Sequence, residues 1–182
     1  THWLPAMGRA YARLAREPSF LLYAAILALS TATFYAFLAG APIVLRSYGV
    51  GPDGVGWYIM CIPMAYIVGN FLTSRWVHAK GERRVMQIGQ AAALSGLALL
   101  LALGFAGLKT PLAFSLPLIL LGLGHGLLVP ASISGTVGLI PALAGSAAAA
   151  AGLLQQLMGA VGGYAVGLFS HDGAVNLGLL ML

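Results

Sequence analysis

The sequence predicts an all-α membrane protein, a bundle of spanning helices without a soluble core. Three observations carry that expectation. Hydrophobic residues make up 60% of the 182 residues and charged residues 7%, against roughly 25% charged in soluble domains. The apolar residues fall in runs near the roughly 20 that a helix needs to cross a bilayer. The nine Lys and Arg and the four Asp and Glu gather between those runs, not within them.

Residues 1–18 carry Arg9, Arg13 and Arg16 at near-helical spacing and read as a basic surface helix or linker. The first span is expected over about 20–41, started by Pro18-Ser19 and stopped at Gly40-Ala41-Pro42, with a loop over 43–51. Pro52-Asp53 opens a second span over about 54–74. A basic loop follows, holding Arg75, His78, Lys80, Arg83 and Arg84 with Glu82. The third span covers about 85–108, Lys109-Thr110-Pro111 turns the chain, and the fourth runs over about 111–130. An uncharged connection, 131–142, leads to the fifth span at about 143–169, and His171-Asp172-Gly173 turns into a sixth, 174–182. At nine residues the sixth is too short to span, so five helices are complete and one is truncated. With Thr1 rather than Met first, the sequence reads as a piece of a longer protein.

Seven basic residues (Arg9, Arg13, Arg16, Arg75, Lys80, Arg83, Arg84) fall on one side of this topology and two, Arg46 and Lys109, on the other. The excess of Lys and Arg in cytoplasmic segments therefore puts the N-terminal end in the cytoplasm. The same clustering accounts for the net charge of +5 and pI of 9.7 without nucleic acid, since no basic groove interleaved with aromatics is present. The expected partners are the lipid bilayer and a small molecule. A single cysteine, Cys61, excludes a disulfide framework, and no metal site is expected. The proline spacings Pro42–Pro52 and Pro130–Pro141, offset by three spans, suggest a three-plus-three inverted repeat.

Within the fifth span Gly145, Ala149, Gly152, Gln156, Gly159, Gly163 and Gly167 share one stripe at 100° per residue. Small residues let helices approach closely, so this stripe is expected to pack on a neighbour. Gln156 interrupts it with an amide that needs a partner in protein, either another helix or a substrate. Gln155 points about 100° away, towards a possible cavity. On the first span Tyr23, Ser30, Phe34 and Phe37 share one face and Thr31 and Tyr35 another, suited to packing or to stacking on flat ligands. On the second, Ile59, Pro63, Tyr66 and Asn70 line up. His125, between Gly124 and Gly126, is an ionisable group inside a span, open to a structural, cavity-lining or proton-carrying role.

Enzyme constellations are not supported: no paired carboxylates fall mid-membrane, no zinc-protease pattern occurs, and Ser134 and His171 fall on opposite sides of the membrane. The protein is expected not to be an enzyme.

The loop Gly69-Asn70-Phe71-Leu72…Ser74-Arg75…Gly81-Glu82-Arg83-Arg84 resembles the cytoplasmic loop between the second and third helices of each half in the major facilitator superfamily. Together with FYAFLAGAPIVLRSYGV in the first span and AGSAAAAAGLLQQLMGA in the fifth, it resembles the second half of the Bcr/CflA drug-resistance transporters. An Asp usual in the loop is replaced here, where Thr73-Ser74 precede Arg75. The resemblance implies the C-terminal six-helix bundle of that fold and alternating access between two bundles, with efflux of drugs or other amphipathic compounds driven by protons in a bacterial inner membrane. No cofactor is implied beyond the proton gradient. It also implies a missing N-terminal six-helix half, carrying the residues that couple protons. The substrate-cavity candidates are Tyr35, Thr31, Phe34, His125, Gln155 and Gln156; the loop motif is Gly69, Arg75, Gly81, Arg83 and Arg84. Export of a metabolite or amino acid, or a non-transporting membrane scaffold, are the alternatives.

Overall fold

A computed structural model describes residues 3–170 and 172–182; His171, placed by the sequence in the last turn, lies outside the described residues. The described chain is helical, with no strand. A surface helix, α1 (Trp3–Leu14), leads to α2 (Pro18–Ser47), α3 (Pro52–Lys80), α4 (Glu82–Phe105), α5 (Pro111–Gly138), a 3-10 turn at Pro141–Leu143, α6 (Ala144–Val166) and α7 (Ala174–Met181).

Four helices, α2 to α5, are long and apolar enough to cross a membrane. The fifth expected span, α6, has 23 residues but is diluted by glycines and by Gln155-Gln156. Three of the helices begin with Pro at the first position, where its missing N–H costs nothing. Thr110 caps α5 by accepting from the Ala113 N–H at 3.2 Å.

The helix ends correct the sequence reading. α2 does not stop at Pro42 but runs five residues further, to Ser47, because Val44 and Leu45 are fully buried there. α3 runs on through most of the expected basic loop to Lys80, leaving Gly81 as the turn into α4. Its φ of 80° is one that L side chains rarely adopt. α4 ends at Phe105, and 106–108 form a turn. α5 continues through Pro130 and eight residues into the expected connection, held by buried Ala131, Ser132 and Thr136. α6 ends at Val166, three residues short of expectation.

Pro130 survives inside α5 for a specific reason. Proline has no N–H, so the carbonyl four residues back, on Gly126, loses its helical partner. Thr73 of α3 donates its hydroxyl towards that carbonyl at 3.0 Å. The same hydroxyl lies 3.0 Å from the Gly69 carbonyl in its own helix.

α5 sits between α3 and α4 and packs closely on both. Gly122 and Gly126, four apart, face α3, while Gly124 points about 200° away to α4. A Cβ on Gly122 would stand 2.6 Å from the Ile62 carbonyl oxygen, and one on Gly124 would stand 2.5 Å from that of Gly89. α2 packs mainly on α6 and also contacts α7. The first helix of each triplet (α2–α4 and α5–α7) thus pairs with the second and third helices of the other. The core between them holds Phe37, Val44, Leu45, Ile62, Leu100, Phe114, Leu118, Leu121 and Leu177.

Candidate functional site

The sequence-predicted site residues separate into two places. A cavity of 840 Å³ lies along α2, with Leu121, His125 and Leu128 of α5 on its floor. Met86, Gln87, Gln90, Leu94 and Leu97 of α4 form one wall, and Val161, Gly162 and Ala165 of α6 the other. Arg83 and Ser19 stand at one end; Leu180, Met181 and Leu182 close the opposite end. Thr33 donates to the Met181 carbonyl at 3.2 Å and so ties α7 to α2. At its start α7 is held by Tyr48, whose hydroxyl accepts from the Ala174 N–H at 2.9 Å. His125 is 6% exposed, and no described residue hydrogen-bonds its ring. Of the predicted cavity residues it alone lines this space. Thr31, Phe34, Tyr35, Gln155 and Gln156 do not.

The second place is the seam between α2 and α6. Gln155 donates its side-chain N–H to the Thr31 hydroxyl at 3.1 Å, and Thr31 donates its own proton to the Leu27 carbonyl at 2.8 Å. One hydroxyl therefore serves as donor and acceptor at once. One turn on, the Tyr35 ring covers Gly159: a Cβ there would lie 2.9 Å from a ring carbon. Phe34 meets Tyr35 edge-on, with centroids 5.9 Å apart, a favoured aromatic geometry. The seam brings Thr31, Phe34, Tyr35 and Gln155 together; Gln156 is exposed and apart from them.

The expected glycine stripe on α6 needs correcting too. Gly145, Gly152 and Gly163 have nothing within 4 Å of a built Cβ, Gly167 meets only its own helix, and Ala149 is exposed. Gly159 alone of the stripe packs on a neighbour. The contact face runs through Ala147, Ala151, Gln155, Gly159, Gly162 and Val166, about a quarter-turn away, with Gly162 against the Ala32 backbone. The face is fixed by Gln155 reaching Thr31, which glycine spacing does not record.

At the α3–α4 end the loop-motif residues take different roles. Gly69 is buried, and a Cβ there would meet the Leu123 carbonyl at 2.5 Å. Arg75 stacks over Phe71 at 4.8 Å and Lys80 over Trp76 at 4.4 Å. Arg83 lines the cavity end, and Arg84 is exposed. Glu82 accepts a 2.7 Å hydrogen bond from Ser134 of α5, a contact the sequence reading missed because 52 residues separate the two. Asn70, from the lined-up face of the second expected span, keeps its side-chain oxygen buried without a partner among the described residues. All four acidic residues, Glu17, Asp53, Glu82 and Asp172, stand at or beyond helix ends.

Over 153 residues the chain is 28% identical to an uncharacterized transporter, YycB, of Bacillus subtilis (strain 168). That alignment covers 82% of this chain and 37% of the relative, so the chain spans little more than a third of the relative's length. No solved structure matches. The family profile of the Major Facilitator Superfamily matches residues 1–163. Spanning helices paired on glycine, helix ends that hold the acidic residues, and a profile match over most of the length place the chain in the Major Facilitator Superfamily.

Proposed function

We propose that this chain is the C-terminal half of a secondary transporter that exports drugs or other amphipathic compounds in exchange for protons, of the Bcr/CflA drug-resistance type. It would lie in a bacterial inner membrane with α1 and the α3–α4 turn in the cytoplasm, where seven of its nine basic residues then fall. The observation that carries the substrate class is the α2–α6 seam. There an amide–hydroxyl pair, Gln155 and Thr31, adjoins an aromatic pair, Phe34 and Tyr35. Such a surface takes a flat apolar body by ring stacking and a polar group by the amide, which suits amphipathic molecules. With every described carboxylate at a helix end, this half offers no buried acid to carry protons. That step is assigned to the missing N-terminal half.

In this reading the seam is one wall of a path between two bundles that rock about it. The close glycine contacts that lock α5 to α3 and α4 keep the half rigid as it rocks.

The test is export of ethidium by the product of the complete gene in cells lacking their own efflux pumps. Dye should leave the cells, and a protonophore should stop it. Gln155→Ala and Tyr35→Ala should weaken export while membrane levels hold. Export of an amino acid or metabolite but not dye would replace the substrate class; no transport by a well-expressed protein would favour the scaffold.

A further inference from the structure

α1 takes no part in the cavity or the seam, yet its residues are sorted by face. Leu4, Met7, Tyr11 and Leu14 follow at spacings of three, four and three, and so share a stripe about 80° wide. Arg9 and Arg13 stand about 40° apart on the opposite side; both are exposed, as is Arg16 in the turn to α2. α1 contains no acidic residue. An apolar stripe backed by arginine is the pattern of a helix that lies in a membrane surface, not through it.

The bundle holds one end of that stripe and leaves the other bare. Leu14 is buried with Phe20, Ala24 and Ala147, and Tyr11 packs against the same cluster. Phe20 and Ala24 lie in the first two turns of α2, and Ala147 in the first turn of α6. The end of α1 is therefore level with the start of the spanning helices, not out beyond them. Leu4 stands ten residues back, about 15 Å along the helix. There Leu4 is 56% exposed and Met7 44%, and a Cβ on Gly8 would meet nothing within 4 Å. The apolar stripe thus runs on past the bundle from the level at which α2 enters the membrane.

We infer that α1 binds an anionic lipid surface beside the bundle. Leu4 and Met7 dip among the acyl chains, and the long stems of Arg9, Arg13 and Arg16 lay their guanidinium groups at the level of acidic headgroups. Charge selects this occupant, since arginine with no acid in the same helix complements a leaflet rich in acidic phospholipid. Area argues against a protein: a stable interface buries roughly 800 Å² per partner, more than two side chains offer. A lipid surface asks less, because the short link to α2 already holds α1 beside it and makes the binding intramolecular. α1 takes this place whatever the protein carries.

Nitroxide labels at Met7→Cys and Ala12→Cys test it in the product of the complete gene, freed of native cysteines with Cys61→Ala included. The vesicles are phosphatidylcholine alone or mixed with phosphatidylglycerol. With phosphatidylglycerol, oxygen should collide with the Met7 label several-fold more often than a nickel chelate does, and the order should reverse at Ala12. In phosphatidylcholine alone the Met7 label should move towards water. Salt at about 1 M, where the screening length is about 3 Å, should do the same. Replacing Arg9, Arg13 and Arg16 together by Gln should abolish the lipid dependence, and replacing them by Lys should keep it. A label at Leu99→Cys, on the outward face of α4, should be unchanged in both and so report an intact bundle. Equal access in the two lipids, or a lipid dependence that survives the Gln substitutions, overturns the recognition of charge. High nickel access at Met7 in both lipids puts α1 in water and overturns its seat on lipid. A Met7 label immobilised and closed to both reagents means that a protein surface covers it, and overturns lipid as the occupant.

Discussion

Thr73 has one hydroxyl proton and three carbonyl oxygens within reach, on Gly69, Gly126 and Leu127. Only the Gly126 oxygen has lost its own helical donor, to Pro130. Thr73→Val keeps the volume and removes the donor, so it should destabilise the fold by about 1–3 kcal/mol, the cost of an unsatisfied buried acceptor. In a Pro130→Ala background the restored N–H reaches Gly126 and the same substitution should cost less. A double-mutant cycle on denaturation in micelles reads this coupling; additive effects would mean that Thr73 serves only its own helix. At the seam, Gln155→Leu should cost about 0.6 kcal/mol, the usual worth of one interhelical bond in a membrane protein, with Thr31→Val adding little more. Both partners were visible in the sequence as polar residues inside spans. Their pairing was not, because Gln155 and Gln156 offer the same amide on different faces.

Among the elements, α5 depends most on missing side chains. A Cβ on Gly96 would meet the Pro117 carbonyl at 2.7 Å and one on Gly89 that of Gly124 at 2.8 Å, and the facing atoms are backbone that cannot step aside. Gly89→Leu or Gly124→Leu should therefore separate α4 from α5, costing upwards of about 3 kcal/mol at the top of the overpacking range, seen as loss of monodisperse protein. Gly163→Ala, with open space at its Cβ, should be neutral, or stabilising by up to about 1 kcal/mol from helix propensity. The stripe on α6 drew the eye because its glycines are many. The glycines that pack are spread over α3, α4 and α5, and Gly122, Gly124 and Gly126 alternate between two neighbours, which no single stripe displays. The helix ends were hard to read for a related reason. Pro42 and Pro130 stop a helix in water, whereas here Val44 and Leu45 are buried beyond the first and Thr73 satisfies the carbonyl freed by the second.

For the molecule as a whole, the exchange of partners between triplets places α5 deepest among the four long apolar helices. The apolar window of α5 is 61% buried and those of α2, α3 and α4 at most 33%. Hydrogen exchange in micelles should accordingly be slowest in α5, and fastest in α1, which touches the rest chiefly through Leu14. Comparable protection of α1 and α5 would contradict that ordering. The class of molecule and the order of its spans were legible in the sequence, since hydropathy and charge placement are properties of composition along the chain. The cavity along α2 was not, since it arises from which helices pair at a distance.

Trp76, under the Lys80 ammonium, and Trp57, 73% exposed near the start of α3, are nineteen residues apart. On a helix that is about 28 Å, close to the roughly 30 Å of a bilayer's hydrocarbon core. Indoles settle at the headgroup boundary, so a single helix is anchored at both surfaces of the membrane and cannot slide through it. Lipids with shorter or longer chains must then be met by tilt of the whole bundle, which gives the protein a preferred bilayer thickness and, with it, a reason to concentrate in some membranes and avoid others.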